Sequence, residues 1–476
     1  MKILYKLFVT LILFTTCYLS SVTAQSSTKL PLPKVDQRVE LLSIVFRLAG
    51  SEEYSAPNNK NYVLDIHRHF DKFVNHPLIK YIKVLRDSNS VGYNAVMSMA
   101  IHLKMPPELD PIVPFSTWLP DGKWTIPAAE KFNALLKQFY KDADCRSFFQ
   151  SQQNNYAIAE KQFLPLFKQV DVNWYFKFYG KAPNETFNII IGLGNGGTNF
   201  GPHINLPDHP KKVYAIVGSS SFDSLGTPVY ESKYGLPLLI HEFNHSFVNH
   251  LTDLNEKALD SAGKIIFEKE GDRMRRQKYP EWKVMMSEAL VRAAVIQYLK
   301  EHDPDTLVAD GELKNQLANG FVWMRSLVAL LGQYEKQRST YPTLESFMPR
   351  IVSYYNQVAP NIRTYDDDYN NLCARVISTE PFNNDTTVSS KITEIRFHFD
   401  KKLDGIRTFF GPGKKGIDHY SKPKGFTFTD DNKTIVMKIG LLRPNTDYQV
   451  NISGYLMKTS DGYAVQNYLL NFKTGD

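Results

Sequence analysis

His241-Glu242-Phe243-Asn244-His245 lies within Leu236 to Leu254, where Leu236, Leu239, Ile240, Phe243, Phe247, Leu251 and Leu254 recur at helical spacing. The run predicts an amphipathic helix. On a helix, positions i and i+4 stack one turn apart, so both imidazoles can reach one ion. Glu242 projects beside them, where a carboxylate can take a proton from an attacking water. The pattern is HExxH, and its content is helix, spacing and acid together. Two surface histidines beside a solvated glutamate would carry the same letters; the apolar flanks argue for the chemical reading.

A catalytic zinc takes a third protein ligand and keeps one position open. The HExxHxxGxxH route fails here, because Val248 stands in place of the glycine and Leu251 in place of the third histidine. A glutamate from a later helix is the other route, and Glu288 is the best candidate. Between Val284 and Ile296 the charged residues are Glu288 and Arg292, so the run predicts a buried helix. A buried carboxylate must be paired or bound to metal. Arg292 stands at i+4, where it can pair with Glu288 or orient it as a ligand. Glu268, Glu270 and Glu281 lie in charged sequence that reads as exposed, and are weaker. For stabilising the oxyanion of acyl transfer, Tyr279, Tyr298, His203 and Arg292 are all candidates.

With these residues the chain resembles the gluzincin type of zinc metallopeptidase. The resemblance rests on His241, Glu242, His245 and Glu288. It implies a zincin-like peptidase domain with an upstream sheet whose edge strand docks the substrate, and Val213 to Val217 would be that strand. One departure is the spacing: 42 residues separate His245 from Glu288. The charged stretch Thr252 to Lys283 reads as an inserted helical excursion. Val35 to Leu42, His241 to Asn249 and Ser287 to Ala293 also look like a bacterial family filed as a domain of unknown function and treated as zincin-like from its motif. The function so implied is a secreted zinc-dependent metallopeptidase. It would hydrolyse peptide bonds with zinc-activated water and Glu242 as general base. The cofactor is Zn2+ and the partner a protein or peptide substrate. The rival is a non-catalytic secreted or surface protein that binds glycan or protein on a zincin-like scaffold. A third reading is a zinc hydrolase of a non-peptide amide.

Upstream, the β-like run Phe187 to Leu193 ends in Gly192-Leu193-Gly194-Asn195-Gly196-Gly197, a formal GxGxxG. A dinucleotide site needs a helix starting there, because the helix N-terminus holds the pyrophosphate. Thr198 to Pro210 has Pro202 and Pro207 and no helical period, so no nucleotide is expected. The glycines read as a flexible hairpin or loop. Helical spacing recurs over Val35 to Ala49, with Gly50 as its end, and over Tyr62 to Leu85, Ala128 to Phe149, Val284 to Leu299 and Phe321 to Tyr334. Met105 to Pro127 is a connector. Helices around one small sheet predict α+β. Trp174 to Tyr179 reads as aromatic core rather than a carbohydrate platform. His67, His69 and His76 read as satisfied or exposed histidines rather than ligands.

From Val376 the period becomes two: Ile395, Phe397 and Phe399; Ile435, Met437 and Ile439; Tyr448, Val450 and Ile452; Leu470 and Phe472. Short strands separated by turn residues predict a β-sandwich of roughly 100 residues. A linker is expected near Ser378 to Ser390. Leu442 to Ile452 and Asn471 to Thr474 are similar to bacterial Ig-like modules, which implies a spacer or an adaptor for cell-surface or glycan contact.

At the other end, Lys2 and Lys6, the apolar run Leu7 to Leu13 and Val22-Thr23-Ala24 read as a secretory signal peptide over residues 1–24. Cys17 raises lipid anchoring, but its flanks make a poor lipidation site. The domains are then 25–375 and 376–476. No later stretch is apolar enough to span a bilayer. The whole chain has 476 residues, 43% hydrophobic and 22% charged, which excludes disorder, collagen and coiled coil as its description. A net charge of +7 without clustering argues against nucleic acid as a partner. Cys145 and Cys373 either pair in an oxidising compartment or stay as free buried thiols.

Overall fold

The computed structural model describes residues 30–56, 60–182, 185–302, 305 and 307–475. The signal segment and Cys17 lie outside them. The described residues fall into two compact units, one running to Lys177 and resuming over Lys181–Tyr230, the other holding Phe178–Gly180 and everything from Glu231.

In the first unit, β1 (Lys34–Val35) leads into α1 (Gln37–Leu48). Asp36 caps the helix by accepting from the Arg38 amide at 2.9 Å, as short acids at this position do. Gly50, at φ 83°, ends it. Val39, Leu42 and Phe46 are fully buried. Five helices follow: α2 (Lys60–Phe70), α3 (Pro77–Asn89), α4 (Asn94–His102), α5 (Ile126–Asp142) and α6 (Cys145–Ser151). The predicted stretches Tyr62 to Leu85 and Ala128 to Phe149 are each two helices. The first breaks at His76, whose ring accepts from the Leu78 amide ahead of Pro77. The second breaks at Asp144, at φ 43°. Beyond them come α7 (Gln153–Phe167) and α8 (Val172–Tyr179). Trp174, Tyr175, Phe178 and Tyr179 are all buried, so the aromatic run is core. His67, His69 and His76 bond to Asp71, the Ala143 carbonyl and Asp142 in turn, and share no ligand site.

The sheet of this unit has the order β1-β2-β4-β3, with β2 (Glu185–Gly192), β3 (His203–Ile204) and β4 (Lys211–Gly218). β2 and β4 are parallel along their whole length. The expected edge strand, Val213 to Val217, is therefore not an edge. Its outer side is taken by β3, through His203 opposite Val213, and by a bridge from Phe200 to Ile216. The proline-bearing stretch after the glycines has no helical period, yet it folds back antiparallel and covers β4. A short ribbon of β5 (Ser221–Phe222) and β6 (Pro228–Val229) completes the unit.

The second unit opens with α9 (Ser232–Leu254), α10 (Glu256–Arg276) and α11 (Trp282–His302). The inserted excursion is thus a helix, α10. It meets α11 closely: a Cβ on Gly263 would lie 2.3 Å from the Trp282 ring. Lys283 joins Asp253 and Glu256, each at 2.9 Å. α12 (Leu307–Ala318), α13 (Met324–Lys336), α14 (Leu344–Val358) and α15 (Ile362–Leu372) follow. α11 packs against α9, α10, α12 and α13, which explains its nearly uniform burial. Tyr179 stacks on Phe247 of α9 at 4.3 Å, which is why residues 178–180 belong here.

The strand-rich end begins at Val376. One sheet has the order β11-β12-β9-β7 and the other β10-β13-β14-β8. The strands are β7 (Val376–Glu380), β8 (Asp385–Val388), β9 (Glu394–Phe399), β10 (Phe410–Gly411), β11 (Pro423–Thr429), β12 (Thr434–Ile439), β13 (Asp447–Ile452) and β14 (Tyr468–Thr474). Ile395, Phe397, Ile435, Met437, Val450, Ile452 and Leu470 from both sheets form one core. The expected linker, Ser378 to Ser390, is instead mostly strand. β7 and β8 are edge strands that bury little beyond Thr379 and Val388. Polar edges of this kind resist pairing with other chains and hide their period in the sequence. Cys145 and Cys373 are both free and buried.

Candidate metal centre

α9 brings His241 and His245 to one side, one turn apart. Their Nε2 atoms lie 3.1 Å from each other. From α11, Glu288 reaches both: Oε2 is 3.6 Å from His241 Nε2 and Oε1 is 3.5 Å from His245 Nε2. Ligand atoms about 2.0–2.1 Å from a tetrahedral ion are about 3.3 Å apart, so the three separations bracket the expected value. Among the described residues, these three form the group whose atoms can hold a metal ion. The donor set fits the metal as well: two imidazole nitrogens and one carboxylate suit zinc.

Two helices hold this geometry. Asn244, fully buried between the two histidines, donates to the Val291 carbonyl at 3.2 Å and locks α9 on α11. Glu288 is 7% exposed, because its helix is covered on several sides. Burial, the neighbouring His245 and the charge of Arg292 keep the pKa of His241 well below its ordinary value. Its ring is therefore neutral, the form that binds metal. Burial raises the carboxyl of Glu242.

The supporting contacts set the orientation of each ligand. Arg292 Nε approaches Glu288 Oε2 at 3.3 Å. The same guanidinium donates to Gln316 Oε1 at 2.7 Å and to the Tyr279 hydroxyl at 2.5 Å. Tyr279 is pushed up to about 12, chiefly by burial, so its hydroxyl stays protonated. His245 Nδ1 faces Asn249 Oδ1 at 3.1 Å, and Ser287 donates to that same oxygen at 2.8 Å. An imidazole that bonds through Nδ1 presents Nε2 to a metal.

Of the four oxyanion candidates, Arg292 and Tyr279 are brought to Glu288. Tyr298 is buried and stacked on His302 at 4.0 Å. It lies ten residues along α11 from Glu288, about 15 Å at helical rise. His203 sits on β3 of the first unit. Glu268 and Glu281 are exposed, but Glu270 is not. It is 2% exposed and bonded to Arg273 at 3.0 Å. Ala262, Ile266, Glu270 and Met274 are four apart on the buried face of α10, a stripe masked by its charged neighbours. Asn249, Ser287 and Gln316 belong to no sequence motif. Asn249 stands at i+4 from His245, which is the one signal that could find it.

The glycine-rich segment is no phosphate loop. No helix begins at it. The amides of Leu193 and Gly194 donate instead to Glu40 of α1, at 2.7 and 3.0 Å. A Cβ on Gly194 would sit 2.8 Å from Ser43 and 3.2 Å from the Glu40 carboxylate. The segment is thus anchored rather than a flexible loop, by an acid 153 residues before Leu193 that the sequence does not point to. Nearby, Arg38 ties the start of α1 to the end of α4: it pairs with Asp36 at 2.6 Å and donates to the Leu103 carbonyl at 2.7 Å.

The search of curated proteins finds no match for the chain. A family model described as a domain of unknown function, DUF4932, matches residues 32–354. That span holds α1, the glycine-rich segment and all the residues of the candidate centre, and it exceeds half the chain; the protein belongs to the DUF4932 family.

Proposed function

We propose that the protein is a secreted zinc-dependent peptidase, with zinc held by His241, His245 and Glu288 and with Glu242 as general base. The observation that carries this reading is the convergence of the three ligand groups within 4.8 Å, two of them on a helix that also places Glu242 next to His241. When bound, zinc supplies a Lewis acid for the scissile carbonyl and the attacking water. The chain supplies the rest. Glu242 takes a proton at its carboxylate and returns it to the leaving amine. Arg292 holds Glu288 in place, and Asn249 holds the His245 ring. Tyr279 and Arg292 carry donors for developing negative charge. Under this reading α9 and α11 are a gluzincin-type ligand pair, and the two C-terminal sheets are an Ig-like module. The charged and apolar pattern of residues 1–24 supports secretion. Among the described residues no helix is long and apolar enough to cross a membrane.

The test joins metal content to turnover. Purified chain should carry about one zinc and cleave members of a broad peptide library. Glu242→Gln should keep the zinc and the fold while hydrolysis falls by about 10²–10⁴-fold. A chain that takes up no zinc on reconstitution overturns the metal assignment. Hydrolysis unchanged in Glu242→Gln removes Glu242 as the base.

A further inference from the structure

A cleft in the same unit is lined by none of the metal ligands. It is formed where the C-terminal ends of α10, α12 and α15 meet the segment before β14, and its volume is about 460 Å³. That falls within the roughly 300–1,000 Å³ of small-molecule sites. Part of its wall lies beyond residue 354, outside the matched family span. The joint is firm. The Ala374 amide donates to the Ala464 carbonyl at 3.1 Å, and the Gln466 amide donates to the Ala374 carbonyl at 2.8 Å.

The lining is unusually rich in amides, among them Gln277, Asn319, Gln466 and Asn467. Backbone partners occupy one end of three of them. Gln277 donates through Nε2 to the carbonyls of Arg273 at 3.1 Å and Asn319 at 2.7 Å. Gln466 donates through Nε2 to the Asn370 carbonyl at 2.9 Å. Asn467 accepts from the Gly454 amide at 3.0 Å through Oδ1. This leaves two Oε1 acceptors and one Nδ2 donor without a partner among the described residues. No acidic residue lines the cleft. Arg273 is balanced by Glu270 and Asp366. Arg276 is exposed, and its side chain forms no hydrogen bond or close ion pair among the described residues, although its charge acts on Asp272 one turn back. Tyr455, 55% exposed, offers an aromatic face at the rim.

We infer that this cleft binds a saccharide. Amide oxygens take hydroxyl donors, the Asn467 amide and Arg276 take hydroxyl or carboxylate oxygens, and the Tyr455 ring takes the apolar face of a sugar ring. A bare anion fits poorly, because three helix C-termini and the side-chain amide oxygens of Gln277 and Gln466 contribute partial negative charge. A polyol donates to those same groups. The Arg276 guanidinium, not held in a close ion pair as Arg273 is, favours a sugar bearing a carboxylate over its neutral counterpart.

The inference does not depend on the metal centre, and its test leaves the metal in place. The full chain is titrated with neutral trisaccharides (maltotriose, cellotriose, chitotriose), with trigalacturonate, with inorganic phosphate and with an acidic tripeptide. Saturable binding is expected for a trisaccharide, with trigalacturonate tightest and phosphate not bound. Tyr455→Ala should weaken every bound saccharide at least tenfold. Arg276→Ala should weaken trigalacturonate tenfold and leave neutral sugars within about twofold. Both positions are exposed, and unchanged thermal melting and zinc content confirm that the fold survives. A neutral sugar bound as tightly as trigalacturonate, with the same Tyr455 dependence, keeps the saccharide site and removes the carboxylate preference. The inference is overturned if no saccharide binds saturably, if neither substitution changes binding, or if the acidic peptide binds in preference to all sugars.

Discussion

Glu40 in the first unit and Glu288 in the second are both buried carboxylates on helices wrapped in apolar residues, yet their neighbours differ in kind. Glu40 is fully buried and accepts from two backbone amides, at 2.7 and 3.0 Å, and from the Tyr62 hydroxyl at 2.7 Å. Tyr62 is in turn within 3.0 Å of the Tyr156 hydroxyl. Every partner is a neutral donor supplied by the protein, so the network is closed. Glu288 has Arg292 Nε at 3.3 Å and two imidazole nitrogens at 3.5 and 3.6 Å. Those last distances are too long for good hydrogen bonds, and the nitrogens face each other as well as the acid. The first arrangement ties a loop to a helix. The second leaves a set of electron pairs pointed at one place. A buried acid is therefore informative only once its partners are named.

The largest difference between the two should appear in metal content. His245→Ala or Glu288→Ala should reduce bound zinc from about one per chain to a trace, since a structural or catalytic zinc needs at least three protein ligands. Glu40→Ala should leave zinc unchanged, and a loss of zinc there would break the comparison. Glu40→Ala should instead lower stability by about 3–5 kcal/mol, since it opens a cavity and strands two amides and a hydroxyl. Denaturant unfolding measures this, and hydrogen exchange should show the Leu193 and Gly194 amides losing protection. Asn249→Ala tests the outer contacts of the open set. It should weaken zinc about 10–100-fold with no comparable loss of fold stability. Unchanged zinc affinity would mean that the His245 ring is held by packing alone.

These two acids also show how much was legible in the sequence. The ligand helix and Glu288 can be read because their signals are local. HExxH fits inside two turns, and Glu288 is an acid in an apolar run. The core strands β9, β12, β13 and β14 are legible for the same reason: a buried face writes a period of two. Glu40 is not legible in this way. Its partners at 193 and 194 are backbone amides, which carry no letter, and they come from a distant strand end. The covering of β4 by Phe200 and His203 is likewise a pairing between segments, invisible to periodicity. β7 and β8 fail for a different reason. Edge strands bury one or two side chains each, so Ser378 to Ser390 reads as linker although it pairs on both sheets.

The smallest effect concerns the closed network and its response to pH. Burial is the main cause that raises Glu40 to about 7, against an ordinary value of 4.5. The sign follows from linkage. Between the two values the folded chain holds a proton that the unfolded chain has released, so stability falls as pH rises through that window. The tilt should be about 1 kcal/mol between pH 6 and pH 7 and should level off above the folded value. Glu270 is also raised to about 7 by burial and contributes its own slope in the second unit. A global melt therefore mixes the two. The opening free energy of the Leu193 and Gly194 amides, from hydrogen exchange corrected for its intrinsic pH dependence, isolates Glu40. Glu40→Gln should abolish the local tilt while Glu270→Gln leaves it. If the local tilt survives Glu40→Gln, the titrating group lies elsewhere and the network is not closed by the acid that holds it.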